Sequence, residues 1–156
     1  MLWRHGRTQW NAQRRFQGHS DIPLDDVGQA QAALAAPMLA SLKPSKIVSS
    51  DLQRARYTAQ ALADLTELDV GIDPQLRETF AGEWEGLGRE ELQERFGDEL
   101  AAWAAGSDLA PGGGERRSEV AFRMVEAIDR ALVDVPDDGT LVVVTHGGSA
   151  RAAIGS

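Results

Sequence analysis

Residues 141–145 read Leu-Val-Val-Val-Thr, and no other stretch limits the fold as much. A β-branched run without polar alternation suits a strand covered on both faces, the situation of a central strand in a parallel sheet. Asp137-Asp138-Gly139 turns the chain into it, and His146-Gly147-Gly148 leads out of it. Three weaker strands are expected at 1–4, at 46–50 after the Pro44 break, and at 68–73 around Gly71. Helical patterns lie between them. The Ala-rich stretch 25–42 has Asp25 as its N-cap, and Pro37 is expected to kink or divide it. Ser50 or Asp51 is expected to cap a helix over 52–64, whose Leu52, Ala55, Ala59, Leu62 and Ala63 share a face. Two further amphipathic helices are read at 89–105 and 119–133. Helix and strand alternate throughout, which predicts an α/β fold: a three-layer α/β/α sandwich with a mostly parallel central sheet.

The length of 156 residues suits one domain over 1–156. A helix that begins at Gly148 stops at residue 156 with nothing to feed into, so that domain is expected to be cut short at its C-terminus. Met1 opens almost directly into a strand, leaving no expected room for a leader, and no apolar run approaches the roughly 20 residues of a membrane span. A cytoplasmic setting is the expectation. The absence of cysteine removes disulfides, thiol nucleophiles and thiolate metal sites. A net charge of −8 disfavours nucleic acid and anionic membranes as partners.

In a parallel sheet, ligands bind beyond the carboxyl ends of the strands, where helix N-termini also point. The first strand ends at Arg4-His5-Gly6. The second ends at Ser49-Ser50, with Arg54 on the first turn of the following helix. The last ends at His146-Gly147-Gly148, and the weak third strand runs into Leu76-Arg77-Glu78. Two arginines, two of three histidines and one carboxylate thus converge on one edge of an acidic protein. Such a set suits a phosphate group, a nucleophile and a proton donor.

Arg4-His5-Gly6-Arg7-Thr8 with Trp10-Asn11, then Phe16-Gln17-Gly18, Asp21-Ile22-Pro23-Leu24, Ser49 to Ala55, Leu76-Arg77-Glu78, Gly82 to Gly86, Pro111 to Glu115 and Val144 to Gly148 follow one another along the chain. This ordered set resembles the histidine phosphatase superfamily, also called phosphoglycerate-mutase-like, and covers nearly the whole chain. The resemblance implies a phosphomonoester hydrolase acting on small phosphorylated metabolites. His5 would be the nucleophile and become phosphorylated. Arg4, Arg54 and His146 would surround the phosphoryl oxygens, with Asn11, Gln17, Gly18 and the backbone N–H of Gly147 completing the phosphate pocket. Glu78 would protonate the leaving alcohol and then activate water. No metal and no cofactor is implied, and a homodimer is compatible with the resemblance.

Within the superfamily, the mutase branch carries a longer insertion and a tyrosine segment after the catalytic glutamate. Here that segment reads Thr79-Phe80-Ala81-Gly82, with Ala81 in the tyrosine's place. A short cap suits release and hydrolysis, so phosphatase is preferred to cofactor-dependent mutase, and the presence of His5, Arg54, Glu78 and His146 speaks against a non-catalytic phospholigand-binding module. Glu83 and Glu85 are acidic rivals of Glu78. His19 is expected to be exposed, Trp84 is the tryptophan expected to rim a pocket, and Arg116-Arg117 is read as a solvated pair. Other signatures fail: there is no G-x-S-x-G, no Gly-Lys-Ser/Thr loop and no H-E-x-x-H, and Gly86-Leu87-Gly88 lacks a third glycine.

Overall fold

The computed structural model describes residues 1–155; the last residue of the helix read from Gly148 onward lies outside them. Four strands form one parallel sheet: β1 (Leu2–Arg4), β2 (Lys46–Ser49), β3 (Val70–Ile72) and β4 (Leu141–Thr145), in the order β1-β4-β2-β3. The last strand in the chain is therefore central, in register with β1 on one side and β2 on the other. All five residues of β4 are buried, as its uninterrupted β-branched run predicts.

Alternation along β4 divides the core in two. Val142 and Val144 face Ala36, Leu39, Ala55, Ala59 and Leu62, which come from α2 (Asp26–Ala40) and α3 (Gln53–Thr66). Leu141 and Val143 face Val120, Met124, Ala127 and Ala152, which come from α5 (Arg117–Leu132) and α6 (Gly147–Ile154). This is the three-layer α/β/α sandwich read from the sequence. A short α1 (Gln9–Ala12) follows β1, and α4 (Arg89–Ala104) lies outside the three layers. Leu92 of α4 packs with Ala81 and Trp84 in a separate cluster joined by Phe16, Phe96 and Leu100.

Two local expectations are corrected. Pro37 does not divide its helix: α2 runs unbroken over Asp26–Ala40. Pro37 sits in the last turn on the exposed side, so the Ala33 carbonyl that loses its N–H partner faces water. The cap of α3 also comes from elsewhere. Its N-cap residue is Leu52, without a side-chain cap, and the Gln53 N–H donates instead to Asp21 Oδ1 at 2.7 Å. Asp25 caps α2 as expected, accepting from the Gly28 N–H. No helix among the described residues is long and apolar enough to cross a membrane.

Candidate active site

Because the strands are parallel and β4 lies between β1 and β2, the residues that leave β1, β4 and β2 emerge side by side. The imidazoles of His5 and His146 lie 5.0 Å apart between ring centroids. A hollow of about 320 Å³ opens above them, lined by Arg4, His5, Asn11, Gln17, Gly18, Arg54 and Glu78 among others. Seven of the nine residues singled out from the sequence thus reach one cavity. His146 and Gly147 lie behind it and do not line it.

His5 is nearly buried. Its Nδ1 lies 2.6 Å from its neighbour's carbonyl, Gly6 O. A carbonyl only accepts, so Nδ1 carries the proton and Nε2 keeps its lone pair. Burial pushes the His5 pKa down to about 3; the Gly6 bond opposes this, while Arg54 and Arg4 add to it. The ring is therefore neutral and nucleophilic at physiological pH.

Arg54 is fully buried. Its Nη1 donates to Ser20 O at 2.7 Å, its Nη2 to Gly18 O at 2.8 Å, and its Nε to His146 Nδ1 at 3.3 Å. Three of five N–H donors are occupied, and one on each terminal nitrogen is left for an anion. Burial lowers its pKa to about 10, against the pull of Glu78, Asp21 and Glu85, so it stays charged. His146 accepts from Arg54, so its proton lies on Nε2, which donates to Ser50 Oγ at 2.9 Å. Burial, then the charge of Arg54, hold His146 well below the usual histidine range. In this arrangement His146 orients Arg54 from beneath.

Two amides are aimed by one threonine. The Thr8 N–H donates to Asn11 Oδ1 at 3.0 Å, and the Thr8 hydroxyl donates to Gln17 Oε1 at 2.7 Å. With both amide oxygens engaged, the Asn11 and Gln17 NH₂ groups are the ends left to face the hollow.

The rivalry among glutamates is decided by donors distant in sequence. Glu85 accepts from the His19 and Ser20 N–H groups and from Ser20 Oγ, at 2.8, 3.0 and 2.8 Å. It is occupied in holding the turn whose carbonyls hold Arg54. Gly18 in that turn has φ +50, which strains any L side chain, and a Cβ there would displace the Glu85 carboxylate, so the turn favours glycine. Glu83 is exposed and away from the hollow. Glu78 alone among the carboxylates lines it, and its oxygens accept from the N–H groups of Gly148 and Ser149 at 2.9 and 2.8 Å, at the N-terminus of α6. A Cβ at Gly148 would crowd Glu78 Oε1, so the absence of a side chain there leaves room for the carboxylate.

Other expectations are corrected here. Trp84 is fully buried, packed edge-on against Phe16 and Trp103, because the 3₁₀ turn Gly82–Trp84 directs it inward. Trp103, on the last turn of α4, rims the hollow instead. His19 is half-buried, with Nε2 2.9 Å from Glu78 O. Arg116 and Arg117, by contrast, are exposed and do not line the hollow, as the reading of a solvated pair expects. Arg14 and Arg151 do line it, without an ion-pair partner among the described residues; neither belongs to the motifs that carry the family resemblance. The spacing could have found Arg151, which lies four residues after Gly147 on the same face of α6.

The neutral buried rings make stability pH-dependent. Unfolded, both titrate near 6.5; folded, His5 does so near 3 and His146 well below 6.5. Below pH 6.5 the unfolded chain takes up protons that the folded chain refuses, so stability present above 6.5 is lost as pH falls toward 3. Each ring contributes a slope of about 1.4 kcal/mol per pH unit. Urea unfolding at pH 7 and pH 5 should show a lower midpoint at pH 5; equal midpoints would mean the rings are not neutral in the fold.

A parallel α/β sheet with a neutral imidazole, buried and unpaired arginines, and one carboxylate at its carboxyl edge defines a phosphoryl-handling protein. The family model described as histidine phosphatase superfamily (branch 1) matches residues 1–156. The chain belongs to that superfamily, and its reaction class is phosphomonoester hydrolysis. It is 40% identical over 154 residues to a glucosyl-3-phosphoglycerate phosphatase of Mycolicibacterium vanbaalenii, covering 95% of this chain and 68% of that one. The protein of the same name from Mycobacterium tuberculosis is 37% identical over 155 residues, with coverages of 95% and 70%. A solved mycobacterial glucosyl-3-phosphoglycerate phosphatase in complex with VO3 superposes with a TM-score of 0.91 at 38% identity, over 97% of this chain and 77% of that one.

Proposed function

We propose that this phosphatase works through a phosphohistidine on His5 and acts on a small phosphomonoester bearing a second anionic group. The observation that carries the first part is the Gly6 bond, which leaves His5 Nε2 unprotonated beside Arg54. Nε2 attacks phosphorus as the bond to the leaving oxygen breaks. Arg4, the two free N–H groups of Arg54, and the Asn11 and Gln17 amides hold the three phosphoryl oxygens, where charge is spread in the transition state. Glu78 gives its proton to the leaving oxygen. Water enters, gives a proton back to Glu78 and attacks the phosphohistidine, releasing phosphate and restoring His5.

The second part rests on charge. Arg4 and Arg54 already balance a phosphate dianion, yet Arg14 and Arg151 add two unpaired guanidiniums at the rim of the same hollow. In a chain of net charge −8, unpaired cations gathered there suit a carboxylate or a second phosphate on the substrate. The name shared by the mycobacterial relatives includes a phosphoglycerate, which carries such a carboxylate. The test compares 3-phosphoglycerate with glycerol 3-phosphate. Arg151→Gln and Arg14→Gln should each lower kcat/KM for the acid by about 10-fold or more, as loss of a charge-assisted bond implies, and leave glycerol 3-phosphate nearly unchanged. Equal losses on both would remove the second-anion reading. The product should be free phosphate rather than 2-phosphoglycerate, because the short segment around Ala81 supplies no lid to shield the phosphoenzyme from water.

A further inference from the structure

Arg123 stands in the middle of α5 with its side chain 13% exposed, and it does not line the hollow. All five of its N–H donors are engaged. Nη1 donates to the carbonyls of Gln75 and Arg77 at 2.5 and 2.8 Å, and Nη2 to that of Glu78 at 2.9 Å. The other two bonds, both to Glu115, are 2.8 Å from Nε and 2.9 Å from Nη2. Glu115 carries the grip onward: Oε2 accepts from the Phe80 N–H at 2.7 Å, and its own N–H donates to Phe80 O at 2.8 Å. The backbone is thus held before Glu78, at it, and two residues after it. Burial alone would raise the Glu115 carboxyl, but Arg123 and the Phe80 N–H hold it below its usual range, as an anion.

We propose that Arg123, locked by Glu115, is a positioning residue that holds Glu78 at the leaving-group side of His5. The inference rests on the reading of Glu78 as the proton donor. Glu78 changes protonation during the cycle, and the bonds it accepts from Gly148 and Ser149 weaken when it is protonated. A tether made only by the carboxylate would loosen at the moment the acid is needed. The Arg123 fork grips the main chain instead, and that grip is the same in both protonation states. Guanidinium is required because an ammonium has three donors and no planar fork.

The test uses kcat/KM on glycerol 3-phosphate, whose alkoxide leaves poorly, and on p-nitrophenyl phosphate, whose phenolate needs little help. Glu78→Gln should lower the alkyl-to-aryl ratio by about 100-fold. Arg123→Gln should lower the same ratio by about 10-fold or more, since a small misplacement of the acid is costly, with kcat/KM for the aryl substrate held within about threefold. Arg123→Lys and Glu115→Gln should fall between, and they carry the test if Arg123→Gln does not fold. Adding Arg123→Gln to Glu78→Gln should cost nothing further on the alkyl substrate, because both act through one proton. A loss that is equal on the two substrates, or no loss, in the Arg123 and Glu115 variants would overturn the proposal while Glu78 keeps its role. An unchanged ratio in Glu78→Gln would overturn the reading of Glu78, and this proposal with it.

Discussion

Replacing His5 with alanine is expected to lower turnover by at least about 10⁴-fold, the scale on which a covalent nucleophile is missed. The chain should remain folded. His5 belongs to neither apolar face of the sheet, its one side-chain bond is to the adjacent carbonyl, and it is buried without charge, so its removal strands no ion. A stability loss below about 2 kcal/mol is expected. The decisive measurement is a rapid quench of the wild-type chain with labelled substrate. Phosphohistidine survives alkali and is lost in acid, so label should be recovered on the peptide containing His5 under alkaline quench alone. Label on a serine, or an active enzyme from which no label is ever recovered, would assign the nucleophile elsewhere.

The second large effect is expected at Arg54. Arg54→Lys keeps the charge but loses the fork that reaches Gly18 O, Ser20 O and His146 together. An ammonium cannot satisfy these three and also face a phosphate, so the rate should fall by about 10³-fold, as for a lost oxyanion donor. The loss should be the same for alkyl and aryl substrates, since the phosphoryl group is common to both. Inorganic phosphate should bind correspondingly more weakly. Buried carbonyls left unpaired should also lower stability by about 1–3 kcal/mol. A variant within tenfold of wild type would show that Arg4 and the amides suffice to hold the phosphoryl oxygens.

These two effects differ because the groups sit at different depths in the network. His5 directly follows β1 and, in the proposed reaction, acts through one atom. Arg54 is the point where the Gly18–Ser20 turn, α3 and His146 meet, and Glu85 stabilises that turn from a segment 66 residues away. The same logic separates Glu85 from Glu78. Both are glutamates on the same run of chain, yet one is bonded into the turn that supports Arg54 and the other lines the hollow.

Much of this protein was legible from its residues alone. The β-branched run 141–145 dictated a central parallel strand, because such a strand has no face to give to water. The periodicity of 52–64 marked the face of α3 that meets that strand. The strand ends then located His5, Arg54, Glu78 and the hollow they share, since a parallel sheet gathers its carboxyl ends on one edge. What adjacent residues could not disclose was the choice among equivalent groups. Which tryptophan rims the hollow, whether His19 is exposed, what caps α3, and which glutamate lines the hollow all depend on partners tens of residues away. Asp21 reaches the first turn of α3, and Arg123 reaches the backbone at Glu78, only after the sheet has brought those segments together. Hydrophobic periodicity and turn chemistry act between neighbours in the chain and can be read there. Hydrogen-bond satisfaction of buried polar groups acts between neighbours in space, so the tertiary structure decided it.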